Sequence, residues 1–102
     1  PADAAAILEA YQDLYDEADD QSPWFDKVKS LCAPFGYTPN VKEWKQDPEA
    51  FKGHVGHVST VIRVAVTSRT NTPDLCAIMG ILGKEECLKR LQAAADYYRK
   101  GN

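Results

Sequence analysis

Prolines and glycines punctuate this 102-residue chain so closely that most of it can hold only short elements. Proline suits the first turn of a helix and glycine its end, so each pair brackets one segment. Ser22-Pro23 predicts a helix start, with Trp24, Phe25, Val28, Leu31 and Cys32 as the apolar stripe and a stop near Pro34-Phe35-Gly36. Asp47-Pro48-Glu49 predicts a second start, and its helix must be short because Gly53 and Gly56 follow. Asn71 or Thr72 as cap with Pro73 at the first position predicts a third, lined by Leu75, Ile78, Met79 and Leu82 and ended by Gly83. An amphipathic helix from Asp3 to about Asp19 precedes these, with Asp3 as N-cap and Ile7, Leu8, Tyr11, Leu14, Tyr15 and Ala18 at steps of three and four. Another, Glu85 to Arg99, follows with Leu88, Leu91, Ala94, Ala95 and Tyr98. Tyr37 to Asn40 reads as a connector, Val41 to Lys45 is ambiguous, and Lys52 to His57 reads as flexible or tightly turned. Val58 to Thr67 breaks the pattern. It is dominated by β-branched residues, and propensity makes it a strand. The tally is at least four helices and at most one strand.

At this length the chain holds one domain with one core. Hydrophobic residues make up 44% and charged residues 26%, which fits ordinary packing and excludes a disordered polyampholyte. No apolar run is long enough to span a bilayer, and the acidic first residues lack the basic region of a signal peptide. A start at Pro1-Ala2-Asp3 is expected for an excised fragment as much as for a processed chain. The net charge of −3 argues against a strongly basic nucleic-acid binder. Its distribution is uneven: residues 1–26 hold eight acids and no base, whereas residues 27–102 hold twelve bases against seven acids. A polyanion would be drawn to the second part and repelled by the first.

Catalytic patterns are missing. Cys32, Cys76 and Cys87 are odd in number and lack metal-ligand spacing, so packed, reduced thiols are expected. His54-x-x-His57 offers two ligands where zinc sites normally need three or four, and no metal is expected. Neither a phosphate-cradling glycine loop nor a nucleophile elbow occurs, and the dense acids from Asp16 to Asp20 lie at a helix end without an apolar pocket. Arg63 is the unusual residue, set within Val61-Ile62-Arg63-Val64-Ala65-Val66. It either carries its charge to the surface along an apolar stem or presents a planar fork to a base edge or phosphate. Thr72-Pro73-Asp74-Leu75 follows, where a loop enters a helix whose free N–H groups attract anions and Leu75 offers an apolar surface to an unstacked base.

Three motifs stand in register here: the run Arg63-Val64-Ala65-Val66-Thr67, the helix start Thr72-Pro73-Asp74-Leu75, and the junction Ile81-Leu82-Gly83-Lys84-Glu85 leading to Leu88 and Leu91. Together they resemble the C-terminal anticodon-binding domain of bacterial glutamyl-tRNA synthetases. Residues 22–57 fit the family's upstream helices more loosely, and residues 1–20 add little. The resemblance implies an all-α fold, the multihelical anticodon-binding domain of class I aminoacyl-tRNA synthetases with about five helices, and so replaces the strand expected over 58–67. It implies a single domain over 1–102, with N-terminal helices to residue 57 and anticodon-reading helices over 58–102. The implied role is binding the anticodon loop of glutamate tRNA. Arg63 would donate to a base or phosphate, Thr72 would bond a base edge with the helix-start backbone, and Pro73 with Leu75 would form the apolar platform. Arg69 and Thr70 would be secondary contacts. Where the family commonly has glycine after the threonine of the first motif, Ser68 stands here, so the turn toward Arg69 must be made without glycine's freedom at positive φ.

The family's nucleotide-binding signatures are absent from the chain, so no catalytic residue is expected in it and no cofactor bound by it. ATP with magnesium would be used by a catalytic domain elsewhere in a longer, cytoplasmic polypeptide, whose preceding domains would be this chain's other partners. Two alternatives stay open: the same domain from a glutaminyl-type or non-discriminating enzyme, and a helical docking module that uses the acidic first helix or the Trp24/Phe25 face without RNA.

Overall fold

A computed structural model describes residues 3–16, 18–70, 72 and 74–100. Six α-helices appear among them: α1 Ala4–Leu14, α2 Gln21–Ser30, α3 Val41–Gln46, α4 Val55–Thr67, α5 Leu75–Leu82 and α6 Lys84–Lys100. Single 3-10 turns at Ala33–Phe35 and Pro48–Ala50 and two strands of two residues, β1 Tyr37–Thr38 and β2 Gly53–His54, complete the order. The all-α expectation holds. The two short strands pair in parallel, Tyr37 with Gly53 and Thr38 with His54, and act as a clip between helices.

The longest pairing is α1 against α6, and α4 packs across both. Ile7, Leu8 and Tyr11 of α1, Val58 and Ile62 of α4, and Leu91 and Ala95 of α6 are buried in the core between them. Val28 from α2 and Leu75 and Met79 from α5 close it from the other side. The division at residue 57 falls inside the first turn of α4 rather than between elements.

Val58 to Thr67 is helix, against its propensity and in line with the resemblance. Two facts override the β-branched composition. Val55, Val58, Val61, Ile62 and Val66 recur at helical spacing and all are buried. The threonines are absorbed by bonding back one turn: Thr60 Oγ1 donates to the Gly56 carbonyl and Thr67 Oγ1 to the Arg63 carbonyl, each at 2.8 Å.

Several boundaries differ from expectation. α1 stops at Leu14, because Asp16 Oδ1 accepts the Ala18 N–H at 2.9 Å in a local turn that competes with helix. Asp3 sits at its N-cap position without a side-chain cap bond, since its carboxylate instead accepts from the Tyr37 hydroxyl and from Lys52 Nζ, both at 3.1 Å. Burial, reinforced by this carboxylate, pushes the Tyr37 hydroxyl up to about 12. α2 begins at Gln21, so Pro23 occupies its third position, where the missing N–H is still harmless. α3, ambiguous in sequence, is capped by Asn40 Oδ1 accepting the Glu43 N–H at 3.2 Å.

The segment Lys52 to His57, expected to be flexible or turned, is a helix cap made by two histidines. His54 Nδ1 accepts the Gly56 N–H at 2.9 Å, and His57 Nδ1 accepts the His54 N–H at 3.0 Å. The two rings lie 4.4 Å apart with the Trp44 ring edge-on to both. Both neighbouring glycines are needed for close approach: a Cβ at Gly53 would come within 2.5 Å of His57 Nδ1, and one at Gly56 within 2.5 Å of His54 Cε1.

Because both Nδ1 atoms accept, the caps require neutral rings with their protons on Nε2. Burial holds His54 below the ordinary imidazole range, aided by the adjacent His57 and Lys45. The unfolded chain therefore takes up a proton there at higher pH than the folded one. The cap's contribution is present above the unfolded value and is lost as pH falls through the folded one. Thermal unfolding should show stability declining from about pH 7 to pH 5, and His54→Asn, a cap that does not titrate, should flatten that decline. An unchanged slope in the Asn variant would refute the role of the ring.

Candidate functional site

The site forms where α4 ends and α5 begins. α4 buries Val58, Val61, Ile62 and Val66, and that leaves Arg63 on the rim, half-buried. Arg63 Nε donates to Thr72 Oγ1 at 2.8 Å. Two residues nine apart in sequence, both predicted to contact RNA, are thus joined directly. Among the described residues no protein group takes the terminal guanidinium nitrogens, so the planar fork stays available to an outside acceptor.

The turn between them is built from side chains. The Ser68 N–H donates to the Val64 carbonyl at 2.8 Å, closing the helix, and Ser68 adopts φ 62 and ψ 21. It is the one non-glycine residue at positive φ among the described residues. Serine at the glycine position therefore keeps the left-handed turn and bears its strain. Ser68→Gly should raise unfolding stability by about 0.5 to 1 kcal/mol in a urea titration, and a loss would show that the side chain is needed there. The Arg69 N–H then donates to Thr67 Oγ1 at 3.2 Å, which orients the loop. Arg69 and Thr70 are exposed beside the site.

α5 begins at Leu75 and is capped by Asp74, whose Oδ1 accepts the Ala77 N–H at 3.4 Å. This corrects the expectation of a cap at Asn71 or Thr72: a carboxylate two residues beyond Thr72 takes the role, and Thr72 bonds Arg63. The Ala77 amide is consequently engaged within the protein rather than open to a ligand. Asn71 and Pro73 lie outside the described residues.

Leu75 is a second correction. It is 1% exposed, packed in the core at the first position of α5, and cannot serve as an exposed platform for a base. Its burial orients the helix start. Ile81, at the far end of the same helix, is instead 86% exposed.

Sequence reasoning missed Arg90. Its Nη1 donates to the Val66 carbonyl at 2.7 Å, and its Nε to Glu86 Oε2 at 2.8 Å. The Glu86 partnership was legible as a helical step of four. The bond to Val66 depends on how α6 crosses α4, and no local signal reports it.

Burial pushes the thiols of Cys32, Cys76 and Cys87 up, away from the thiolate form. Among the described residues no group of three metal-ligating side chains occurs, and no helix is long and apolar enough to cross a membrane.

Fold and site together define an all-helical domain whose polar site sits at a junction of two helices. Residues 40–95, more than half of the chain, match the family model described as the anticodon binding domain, and the chain belongs to that family. It is 46% identical over 90 residues to a glutamate–tRNA ligase of Acetivibrio thermocellus, an alignment covering 88% of this chain and 16% of that protein. Glutamate–tRNA ligases of Sorangium cellulosum and Clostridium perfringens are each 39% identical over 89 residues, with 87% and 16% covered. The chain thus spans about 16% of the length of the curated relatives it matches. No solved structure matches it.

Proposed function

We propose that this chain is the anticodon-reading domain of a glutamate–tRNA ligase and binds the anticodon loop of glutamate tRNA. The observation that carries the reading is the Arg63–Thr72 bond: it fixes the guanidinium through Nε and leaves its fork for a base edge or phosphate. The shared family and the relatives' activity support it. Thr72 holds Arg63 in place and sits beside the bound loop with Pro73. Leu75 acts from inside the core, and Arg69 and Thr70 meet the flanking backbone. Catalysis belongs to the rest of the longer polypeptide, a cytoplasmic enzyme that attaches glutamate with ATP and magnesium and supplies the domains on which this one docks.

Filter binding of a glutamate tRNA transcript to the chain tests the reading. Affinity should fall steeply with salt and exceed that for a transcript with a substituted anticodon. Equal affinity for the two transcripts would overturn it. No affinity for either transcript at low salt would favour the docking-module alternative.

A further inference from the structure

The geometry points to Arg90 as a positioning residue for RNA reading, acting through the end of α4 on Arg63; this rests on the function proposed above. The last carbonyls of a helix have no intrahelical partner and concentrate partial negative charge. At α4 the Val64 carbonyl is satisfied by the Ser68 N–H, and the Val66 carbonyl by Arg90 Nη1. Arg90 is itself aligned by Glu86 one turn earlier on α6, whose carboxyl this bond holds below its usual range. The strut Glu86–Arg90–Val66 therefore ties α6 to the residue just before Thr67 and the strained Ser68. Those two residues set the direction of the loop that returns Thr72 to Arg63. Thr67 completes the linkage, since its hydroxyl donates to the Arg63 carbonyl and accepts from the Arg69 N–H. Val66 packs in the core, and its carbonyl bond to Arg90 fixes the angle at which the end of α4 meets α6. Without that bond the left-handed turn at Ser68 can relax and carry Thr72 away from Arg63 Nε.

Arg90→Met keeps much of the stem's bulk and removes both donors. In the chain labelled with nitrogen-15, the Arg63 Nε–H should exchange slowly in the parent and at the solvent rate in Arg90→Met, in samples that thermal melts show to be folded. This reads the positioning without RNA. With the glutamate tRNA transcript, Arg90→Met should bind about tenfold more weakly. The double variant with Arg63→Ala should bind no more weakly than Arg63→Ala alone, because both changes remove one contact. A simple stabilising role would leave the Arg63 proton protected and the two losses multiplicative, and either result overturns the inference. Should Arg90→Met not fold, Arg90→Lys, which keeps the charge and a donor but not both bonds, is scored in the same way. If Arg63→Ala itself binds like the parent, the RNA-reading function fails, while the exchange measurement still decides whether Arg90 positions Arg63.

Discussion

Replacing Arg63 with alanine should weaken binding of glutamate tRNA by about thirtyfold, roughly 2 kcal/mol, while leaving the fold intact. The side chain is half-buried and makes its described bond to a hydroxyl, so its removal opens no core cavity and orphans no charge. Salt dependence separates the two ways in which the fork can act. If it grips a phosphate, the variant's log–log salt slope should be shallower by about one, and the loss should be uniform across anticodon sequences. If it reads a base edge, the slope should hold and discrimination between anticodons should relax. Parent-like affinity at low salt in Arg63→Ala would remove the central residue from the site.

Leu75→Ala should cost about 3 kcal/mol of unfolding stability, which in a domain of this size corresponds to a fall of about 15 °C in Tm. The side chain is 1% exposed and lies in the core with Met79 and Leu91. Its loss leaves a cavity that the surrounding helices fill only partly. An exposed leucine acting as a platform for a base would behave in the opposite way. Truncation would then change stability by less than about 0.5 kcal/mol and act on affinity alone. A combined urea and tRNA-binding titration of this variant separates the two roles.

The sequence carried the site's ingredients but not its faces. The resemblance assigned Arg63 and Thr72 to one RNA-binding surface, and the structure joins them by a hydrogen bond. The resemblance also placed Leu75 beside them as a platform. Its step of four to Met79 on the apolar stripe already marked Leu75 for packing, and the structure buries both. α4 was misread by propensity because β-branched side chains fit a pleated surface and a buried helix face alike. Its burial pattern of steps three and four was present in the residues from the start, and the two threonines that weaken helix bond back to it. Arg90 was out of reach, since its partner is 24 positions away and is a backbone atom. The histidine caps had a visible pattern and no visible meaning, because imidazole is an uncommon choice where serine, threonine, aspartate or asparagine usually stands.

The crossed packing of these histidines on two glycines has an evolutionary consequence. Each ring occupies space that a side chain at one glycine would need, His57 over Gly53 and His54 over Gly56. Neither glycine can drift alone: a larger residue at Gly53 demands a smaller one at position 57, and the same trade links positions 56 and 54. The four sites should therefore change as two coupled pairs among relatives, with any lineage that abandons one imidazole free to fill the glycine facing it.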